Sequence, residues 1–254
     1  MKLSIITVCF NSQNTLQRTI HSVASQTYPD IEYIIIDGDS RDNTLRLIEK
    51  NQSLINRWVS EPDEGIYDAM NKGIAMATGD VIGLLNSDDV FYSETAAATI
   101  MRRFENPDID IVHGGLNFIN NKSKLIRKWQ GSPYETGAFT RGWHPAHPTF
   151  YVRREVYAKL EPYDTTMPVA ADFEMMLRAI EVHKFSSSFI DETLIAFSIG
   201  GYSTGSIRNI LRGNSEILRA LKKNNIKVNS LIYVINRLLP KFANLIKFKF
   251  GIKQ

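Results

Sequence analysis

The sequence predicts an α/β fold with a mostly parallel central sheet and helices on both faces of it. Three observations support this prediction. Short apolar runs alternate along the chain with segments whose apolar residues recur at helical spacing. The runs are apolar on both faces, as expected of strands that helices cover on both sides. The connecting loops are short, which favours strand–helix–strand units with right-handed crossovers.

Four strand–helix pairs are predicted in the first 104 residues. Each helix carries one apolar face, as Leu16, Ile20 and Val23 do in the first, and turn residues such as Tyr28-Pro29-Asp30 separate helix from strand. The predicted strands cover residues 3–10, 31–36, 55–60 and 81–85. The predicted helices cover residues 15–26, 66–77 and 93–104, with a further one after Asp42.

The second half of the chain has a different character. We expect a strand at 109–113, a hairpin of 116–119 with 124–129, and a loop at 131–148 that is rich in glycine, proline, histidine and aromatic residues. A short strand at 149–152, helices at 154–160 and 171–182 and a strand at 193–197 follow. The glycine-containing loop after them, 199–204, is expected to be a mobile lid.

The predicted domain organisation is one catalytic-type domain over residues 1–205, with halves at 1–115 and 116–205, and an extension at 206–254. The single cysteine, Cys9, excludes an intramolecular disulfide and a cysteine-based zinc site, which fits a reducing, cytoplasmic compartment. We expect neither a signal peptide nor a transmembrane helix, because no apolar run of the required length occurs.

The net charge of +3 conceals an asymmetry between the body and the extension. Residues 206–254 carry eleven basic residues and one acidic residue, whereas residues 1–205 carry 19 basic and 26 acidic residues. An acidic body argues against nucleic acid as a partner. The extension mixes bulky apolar residues with lysines, as interfacial membrane helices do. The alternative is a helix that packs on the body or on a second copy of the chain, as in a homodimer.

Acidic residues follow the predicted strands of the first half. Asp88 and Asp89 come directly after the run 81–85, and Asp37, Asp39 and Asp63 follow two other strands. Ligands of open α/β sheets bind at these carboxyl ends. Two adjacent carboxylates there suggest a hard divalent cation, with an Asp-rich turn as the alternative. No glycine-rich dinucleotide or phosphate-binding loop is present.

The first ~100 residues resemble the nucleotide-sugar-binding half of glycosyltransferase family 2, which has the GT-A fold. Four ordered motifs carry the resemblance, and the second half matches more loosely at His147-Pro148-Thr149-Phe150, Ala171-Asp172 and Gly200-Gly201-x-Ser203. The motifs are Ser4–Asn11, Ile35–Thr44, Gly65–Ile74 and Ala77–Asp80 with Leu84–Asp89.

The resemblance implies roles in donor binding. Asp89 would coordinate Mg²⁺ or Mn²⁺ bridging the diphosphate, and Asp88 would contact the ribose or the sugar. Asp37 would recognise the nucleobase, which a carboxylate can do for uracil, thymine or guanine. The other implied nucleotide-sugar contacts are Thr7, Asn11, Asp39, Asp68, Lys72 and His147. Asn86 and Met70 depart from the family, many of whose members have Asp and Arg there.

Asp172 is implied as the catalytic base, with a plain helix N-cap as the alternative. The expected reaction moves a sugar, with inversion, from a UDP, GDP or dTDP sugar to a hydroxyl of a glycan or lipid-linked acceptor in surface polysaccharide synthesis. The alternatives are a sugar-nucleotide nucleotidyltransferase and a nucleotide-sugar-binding assembly protein without turnover. Trp129 and Trp143 are candidates for stacking on a sugar, or are core residues.

Overall fold

The computed structural model describes residues 1–120, 123–199, 207–229 and Tyr233. The strands are β1 Leu3–Cys9, β2 Ile31–Asp37, β3 Arg57–Ser60, β4 Val81–Leu84, β5 Val90–Phe91, β6 Ile111–Ile119, β7 Leu125–Trp129, β8 Tyr151–Arg153 and β9 Ser187–Ser198. The α-helices are α1 Leu16–Ala24, α2 Thr44–Lys50, α3 Ile66–Met76, α4 Ala96–Arg103, α5 Arg154–Lys159, α6 Ala171–Leu177 and α7 Ile207–Lys223.

These strands form one twisted sheet in the order β3-β2-β1-β4-β8-β6-β9-β5, with β7 paired to β6. Strands β1 to β4 are parallel to one another, as predicted. Strand β8 joins them antiparallel to β4 and also pairs with β6, so it connects the two halves of the chain in one sheet. The predicted hairpin is present as β6 and β7.

Two hydrophobic cores lie on opposite faces of the sheet. Strand β1 shows why, since successive side chains of a strand point to opposite faces. Ile6 and Val8 pack with α3 and α6, while Leu3 and Ile5 pack with α1 and α4. The predicted burial of both strand faces is therefore confirmed for β1, β2 and β4. It is wrong for β3, whose Arg57 and Trp58 are exposed, because β3 is the edge strand of the sheet.

Three strands differ from the sequence prediction, of which β5 was not predicted at all. Strands predicted at 109–113 and 116–119 are one strand, β6, because a bulge at Gly114 and Gly115 carries the ladder past the glycine pair. Strand β9 begins at Ser187, six residues before the predicted start. Its first residues pair with β6, and that pairing overrides their weak apolar pattern.

The described part of the C-terminal extension packs on the body. Helix α7 contacts α6, and its Ile217, Ala220 and Leu221 are buried in the same core as α6. The predicted lid at 199–204 lies, apart from its first residue, outside the described residues, as does the apolar and lysine-containing stretch of 230–254 apart from Tyr233. Across the part of the chain that the structure describes, no helix has the length and apolarity needed to span a bilayer.

Candidate active site

The loops that follow β1, β2 and β4 meet at one edge of the sheet. The hydroxyls of Ser12 and Ser87 lie 2.8 Å apart and join the first loop to the third. The N–H of Ser12 donates to Thr44 Oγ1 at 2.7 Å, which joins the first loop to the start of α2. The carboxyl ends of three parallel strands therefore form one continuous rim, as expected of a ligand site in such a sheet.

Asp88 and Asp89 stand on this rim, but their carboxylates face different surroundings. Asp89 is 0% exposed; its Oδ1 accepts the N–H of Ser198 at 3.0 Å and its Oδ2 accepts the Asn86 amide at 3.2 Å. Asp88 is half-buried, and among the described residues its carboxylate accepts a hydrogen bond only from its own N–H. Asp88 therefore has the carboxylate of the pair that remains open to a ligand.

Burial makes the negative charges of this pair costly. It raises the pKa of Asp88, and it raises the pKa of Asp89 well above the usual range, with the Asp88 charge as the second cause. Arg18 offsets part of the cost. Its guanidinium donates to the Asp88 carbonyl at 2.8 Å and to the Ser198 hydroxyl at 2.7 Å, and its charge acts on both carboxylates.

A divalent cation is compatible with this arrangement. Burial raises the pKa of both carboxyl groups, so a cation beside them would favour their charged forms, and the Asp88 carboxylate is open to a ligand. Mg²⁺ usually takes one or two carboxylates and completes its shell with water and substrate phosphates. Within the described residues no group of three or more His, Cys, Asp or Glu side chains that could hold a metal occurs, so water and substrate would have to supply the other ligands of a bound ion.

Asp37 organises the rim from inside the protein. It is 0% exposed, and both of its oxygens accept two hydrogen bonds: Oδ1 from Cys9 Sγ and Ser40 Oγ, and Oδ2 from Ser40 N and Ser60 Oγ. A carboxylate offers about four acceptor sites, and all are filled here. Contact with a nucleobase would require Ser40 or Ser60 to give up its bond, so base recognition by Asp37 stays a prediction.

Three other residues predicted to contact the nucleotide-sugar, Thr7, Asn11 and Asp39, lie near β1 and the loop after β2. Thr7 is fully buried, and its hydroxyl accepts a hydrogen bond from Tyr33 at 3.1 Å, which places it in the core rather than at the rim. Asn11 and Asp39 both adopt left-handed backbone conformations, with φ of 49° and 62°. Asn11 is exposed and its amide oxygen accepts the N–H of Arg41, so it fastens the loop after β1 to the loop after β2.

Asp68 and Lys72 face each other one turn apart on α3, as the spacing predicted. The Lys72 ammonium lies 3.3 Å from Asp68, 2.9 Å from Glu61 and 2.9 Å from the carbonyl oxygen of Pro62. The hydrogen bond that Lys72 donates to Glu61 is the largest cause of its raised pKa. Lys72 is therefore held by the loop before α3, and a phosphate contact would require it to leave these partners.

Asp172 opens helix α6 and is half-buried. Its Oδ1 accepts hydrogen bonds from the hydroxyl of Tyr67 at 3.1 Å and from the N–H of Phe173 at 2.8 Å. Within the described residues nothing donates to Oδ2. Burial, followed by the Asp172 charge, raises the pKa of Tyr67 well above its usual range, so the Tyr67 hydroxyl stays a donor. One carboxylate oxygen is thus held in place and the other is available for a proton.

His147 lies in the same neighbourhood. Its Nε2 is 3.1 Å from the hydroxyl of Tyr163, and the ring of Tyr163 stacks on that of Tyr67 with centroids 5.6 Å apart. Burial lowers the pKa of His147, although the Asp172 charge opposes the shift, so His147 is neutral near pH 7. The structure thus brings His147 and Asp172 together through two tyrosines.

The tryptophans predicted as sugar contacts or core residues belong to a cluster of rings. The ring of Trp129 makes an edge contact with His144 at 5.1 Å, and His144 makes one with Phe173 at 5.7 Å. Trp143 packs on Phe139 and hydrogen-bonds Ser132 through its indole N–H. This chain of rings leads from β7 to the residue that follows Asp172.

Four residues of the site were missed in the sequence. Tyr67 lies within the motif Gly65–Ile74, so its position offered a signal that was not used. No signal in the sequence pointed to Arg18, Ser198 and Tyr163, because each acts through a contact between elements distant in the chain. Only the folded sheet brings β9 beside the loop after β4.

The chain matches the protein family described as Glycosyl transferase family 2 over residues 4–161. It is 33% identical over 193 residues to an uncharacterized glycosyltransferase of Mycobacterium tuberculosis, covering 70% of this chain and 68% of the relative. It is 26% identical over 246 residues to a PGL/p-HBAD biosynthesis glycosyltransferase of the same species, covering 94% and 91%. Escherichia coli WfgD, a UDP-Glc:alpha-D-GlcNAc-diphosphoundecaprenol beta-1,3-glucosyltransferase, is 33% identical over 122 residues, 48% of each chain.

Solved structures share the fold at low sequence identity. Residues 1–349 of S. aureus TarS in complex with UDP give a TM-score of 0.69 at 16% identity, over 100% of this chain and 76% of that one. A mannosyltransferase from Pyrobaculum calidifontis in complex with GDP-Man and Mn²⁺ gives 0.67 at 14% identity, over 100% and 76%. The chain spans 40% of the longer TarS structure.

Proposed function

Because the chain belongs to glycosyl transferase family 2, we propose that it transfers a sugar, with inversion, from a nucleotide-sugar to a hydroxyl of a surface glycan or a lipid-linked acceptor. Family membership and the structural neighbours confirm the predicted GT-A fold and the enzyme class, a glycosyltransferase. The donor class, the acceptor and the roles of single residues are what the proposal adds.

The observation that carries the proposal is the environment of Asp172. One of its oxygens is fixed by Tyr67 and by the N–H of Phe173, and the other has no donor among the described residues. A base for glycosyl transfer needs one oriented carboxylate. In the proposed step the acceptor oxygen bonds to the anomeric carbon, its proton moves to Asp172 Oδ2, and the bond from that carbon to the diphosphate breaks.

Asp88 is proposed to hold Mn²⁺ or Mg²⁺ together with the donor diphosphate. When bound, the cation stabilises the negative charge that develops on the leaving nucleoside diphosphate. Of the two carboxylates, that of Asp88 is the one that a cation can reach. Asp89, which the sequence suggested as the ligand, is wholly buried on Ser198 and Asn86 and supports the loop from behind.

The acceptor proposal draws on the relatives. One is a beta-1,3-glucosyltransferase acting on a diphosphoundecaprenol-linked sugar, and another takes part in PGL/p-HBAD biosynthesis. A lipid-linked acceptor would be used at a membrane surface. Peripheral contact on the inner face of the membrane through residues 230–254, and a homodimer as the alternative use of that stretch, remain proposals.

The proposal is tested by measuring nucleoside diphosphate release from UDP-glucose, UDP-N-acetylglucosamine and GDP-mannose, each with Mn²⁺ and with EDTA, with water taking the place of the acceptor hydroxyl. We expect one donor to turn over in the presence of Mn²⁺ only. Asp172→Asn should reduce kcat about 100-fold or more, because the base is lost. A full rate in that variant would contradict the assignment of Asp172, and turnover in EDTA would contradict the metal.

A further inference from the structure

Helix α7 lies along the segment 164–170, which leads into α6, and contacts it through one polar stripe. The stripe residues follow one another at spacings of four, three and four, so they share a face of the helix. They are Arg212, Glu216, Arg219 and Lys223. Lys223 lies 2.9 Å from Asp164, and Arg219 donates to the carbonyl oxygen of Thr166. The contacts thus run in order along the two segments.

Glu216 makes the contact nearest to α6. It is 5% exposed, and its Oε2 accepts the backbone N–H groups of both Val169 and Ala170 at 2.9 Å each. Its Oε1 lies 2.9 Å from Arg212 Nε, which balances the charge. Ala170 is the N-cap residue of α6 and has no side chain that could satisfy backbone donors. Glu216 therefore satisfies, from another helix, the two backbone donors at the entry to α6.

The close approach of the two segments is built into the sequence of α7. A Cβ added to Gly213 would lie 3.1 Å from Val169 Cγ1, closer than side chains normally pack. Glycine in the middle of a helix reduces helix stability, so its presence at this contact is explained by the proximity of Val169. The backbone of Val169 is thereby held next to α7.

The same backbone also holds the proposed base. The hydroxyl of Tyr67 lies within hydrogen-bond distance of the Val169 carbonyl, 3.2 Å, and of Asp172 Oδ1, 3.1 Å. Residues 169–172 are therefore fixed on one side by α3, through Tyr67, and on the other by α7, through Glu216. A shift of Val169 and Ala170 would carry Asp172 with it, because only Ala171 separates them.

We infer that Glu216 is a positioning residue for Asp172, so that α7, which lies beyond the family match at 4–161, is part of the catalytic apparatus. The inference rests on the proposed function, in which Asp172 is the base. A displacement of about 1 Å in a reacting group can cost on the order of 100-fold in rate. Glu216 acts on turnover through geometry and touches no substrate.

The experiment compares Glu216→Ala, Glu216→Asp and Glu216→Gln with the full chain, using Mn²⁺ and whichever of the three nucleotide-sugars turns over. Hydrogen exchange at the amides of residues 169 and 170 is measured in parallel. The alanine variant removes the acceptor. The aspartate variant keeps the charge but shortens the side chain by one methylene, and the glutamine variant keeps an acceptor oxygen in place. Lys222→Ala, an exposed position on the same helix, is the matched control.

We expect Glu216→Ala and Glu216→Asp to lower kcat about 10- to 100-fold, with faster exchange at both amides and a donor KM changed by less than about twofold. Glu216→Gln should restore most of kcat, and Lys222→Ala should match the full chain. If Glu216→Ala does not fold, the kcat values of Glu216→Asp and Glu216→Gln decide whether Glu216 positions Asp172. Wild-type kcat in the Asp variant, or a Gln variant as slow as Ala, overturns the inference.

Asp172→Asn, measured first, separates the two hypotheses. If that variant keeps full turnover, Asp172 is not the base; the proposed function then loses its base, and Glu216 has no base to position. If Asp172→Asn is inactive while Glu216→Asp loses amide protection but keeps its rate, only the inference about Glu216 is wrong.

Discussion

At the scale of single residues, the site is organised by buried polar groups that hold one another. Asp37 and Asp89 lie beneath the rim with their oxygens occupied by the protein, whereas Asp88 and Asp172 each keep a carboxylate oxygen available. Adjacent acidic residues thus have different roles. Burial and hydrogen bonding, which the residue type alone does not reveal, separate the residues that support the loops from those that can meet a ligand.

The difference between Asp88 and Asp89 predicts unequal effects on metal binding. Asp88→Asn should abolish the increase in Tm that Mn²⁺ and a nucleoside diphosphate produce together, because it removes the accessible carboxylate. Asp89→Asn should keep part of that increase, since its side chain is buried on Ser198. Thermal unfolding of both variants, with and without Mn²⁺, is the measurement. Loss of the effect in Asp89→Asn alone would reverse the assignment.

His113 predicts a pH dependence of stability. It is buried, its Nε2 has no partner within the described residues, and burial lowers its pKa from 6.5 to about 4. Between these values the unfolded chain binds a proton that the folded chain does not. This group therefore reduces the free energy of unfolding by about 2 kcal/mol between pH 7 and pH 5.

The comparison for His113 is the variant His113→Leu, which has a similar volume and no titrating group. Urea unfolding at pH 7 and pH 5 should show a smaller loss of stability on acidification in the variant than in the parent chain. The same loss in both would mean that His113 does not contribute to the acid sensitivity.

At the scale of elements, a buried ion pair joins α6 to its surroundings. Glu174 is 0% exposed and lies 2.9 Å from Arg178, which also donates to the carbonyl oxygens of Glu161 and Pro162. Asn224, just after α7, donates to the other oxygen of Glu174. The pair therefore fixes the segment before Tyr163 and the end of α7 onto the helix that carries Asp172.

Arg178→Met should lower the free energy of unfolding by about 3–5 kcal/mol, because the buried Glu174 carboxylate then keeps, among the described residues, only Asn224 and the Lys223 ammonium 4.0 Å away. Denaturant unfolding measures the change. Arg141→Met, which breaks an exposed pair with Glu135, is the matched control and should leave stability unchanged. Equal stability of the two variants would show that the buried pair contributes little.

Some secondary-structure elements could be predicted from the sequence and others could not. The parallel strands β1 to β4 and their helices were predictable because each has a strong local pattern, and so was the β6–β7 hairpin. The extension of β9 to Ser187 was not, because those residues form a strand through pairing with β6. Likewise Asp172 was proposed from its motif, whereas the contacts by which Tyr67 and Glu216 hold its surroundings join segments distant in the chain.

At the scale of the whole molecule, the basic extension has two parts. In helix α7 some of the basic residues serve internal contacts, since Arg212, Arg219 and Lys223 bond to Glu216, Thr166 and Asp164. The four lysines from Lys241 onward have no such assignment, because they lie outside the described residues. The membrane proposal concerns residues 230–254.

Replacing those four lysines, Lys241, Lys247, Lys249 and Lys253, by glutamine tests the membrane proposal. Each lysine near an anionic surface contributes about 1 kcal/mol, so binding to vesicles that contain phosphatidylserine should fall on the order of 1000-fold at low salt. Co-sedimentation measures it. A chain with Lys50, Arg102, Arg103 and Lys128 replaced, all exposed on the body, should bind as before. Unchanged binding after the tail replacements would contradict the proposal.

The sequence by itself determined the α/β class, because the class depends on local periodicity. It also determined the family, because the family is defined by short contiguous motifs that follow the parallel strands in order. The tertiary structure decided which carboxylates are available. Asp88 and Asp89 are neighbours in the chain, yet β9 covers one through Ser198 and leaves the other half-exposed. It also decided that α7 belongs to the body, since a carboxylate at 216 meets the backbone of 169 and 170 only when the two segments pack together.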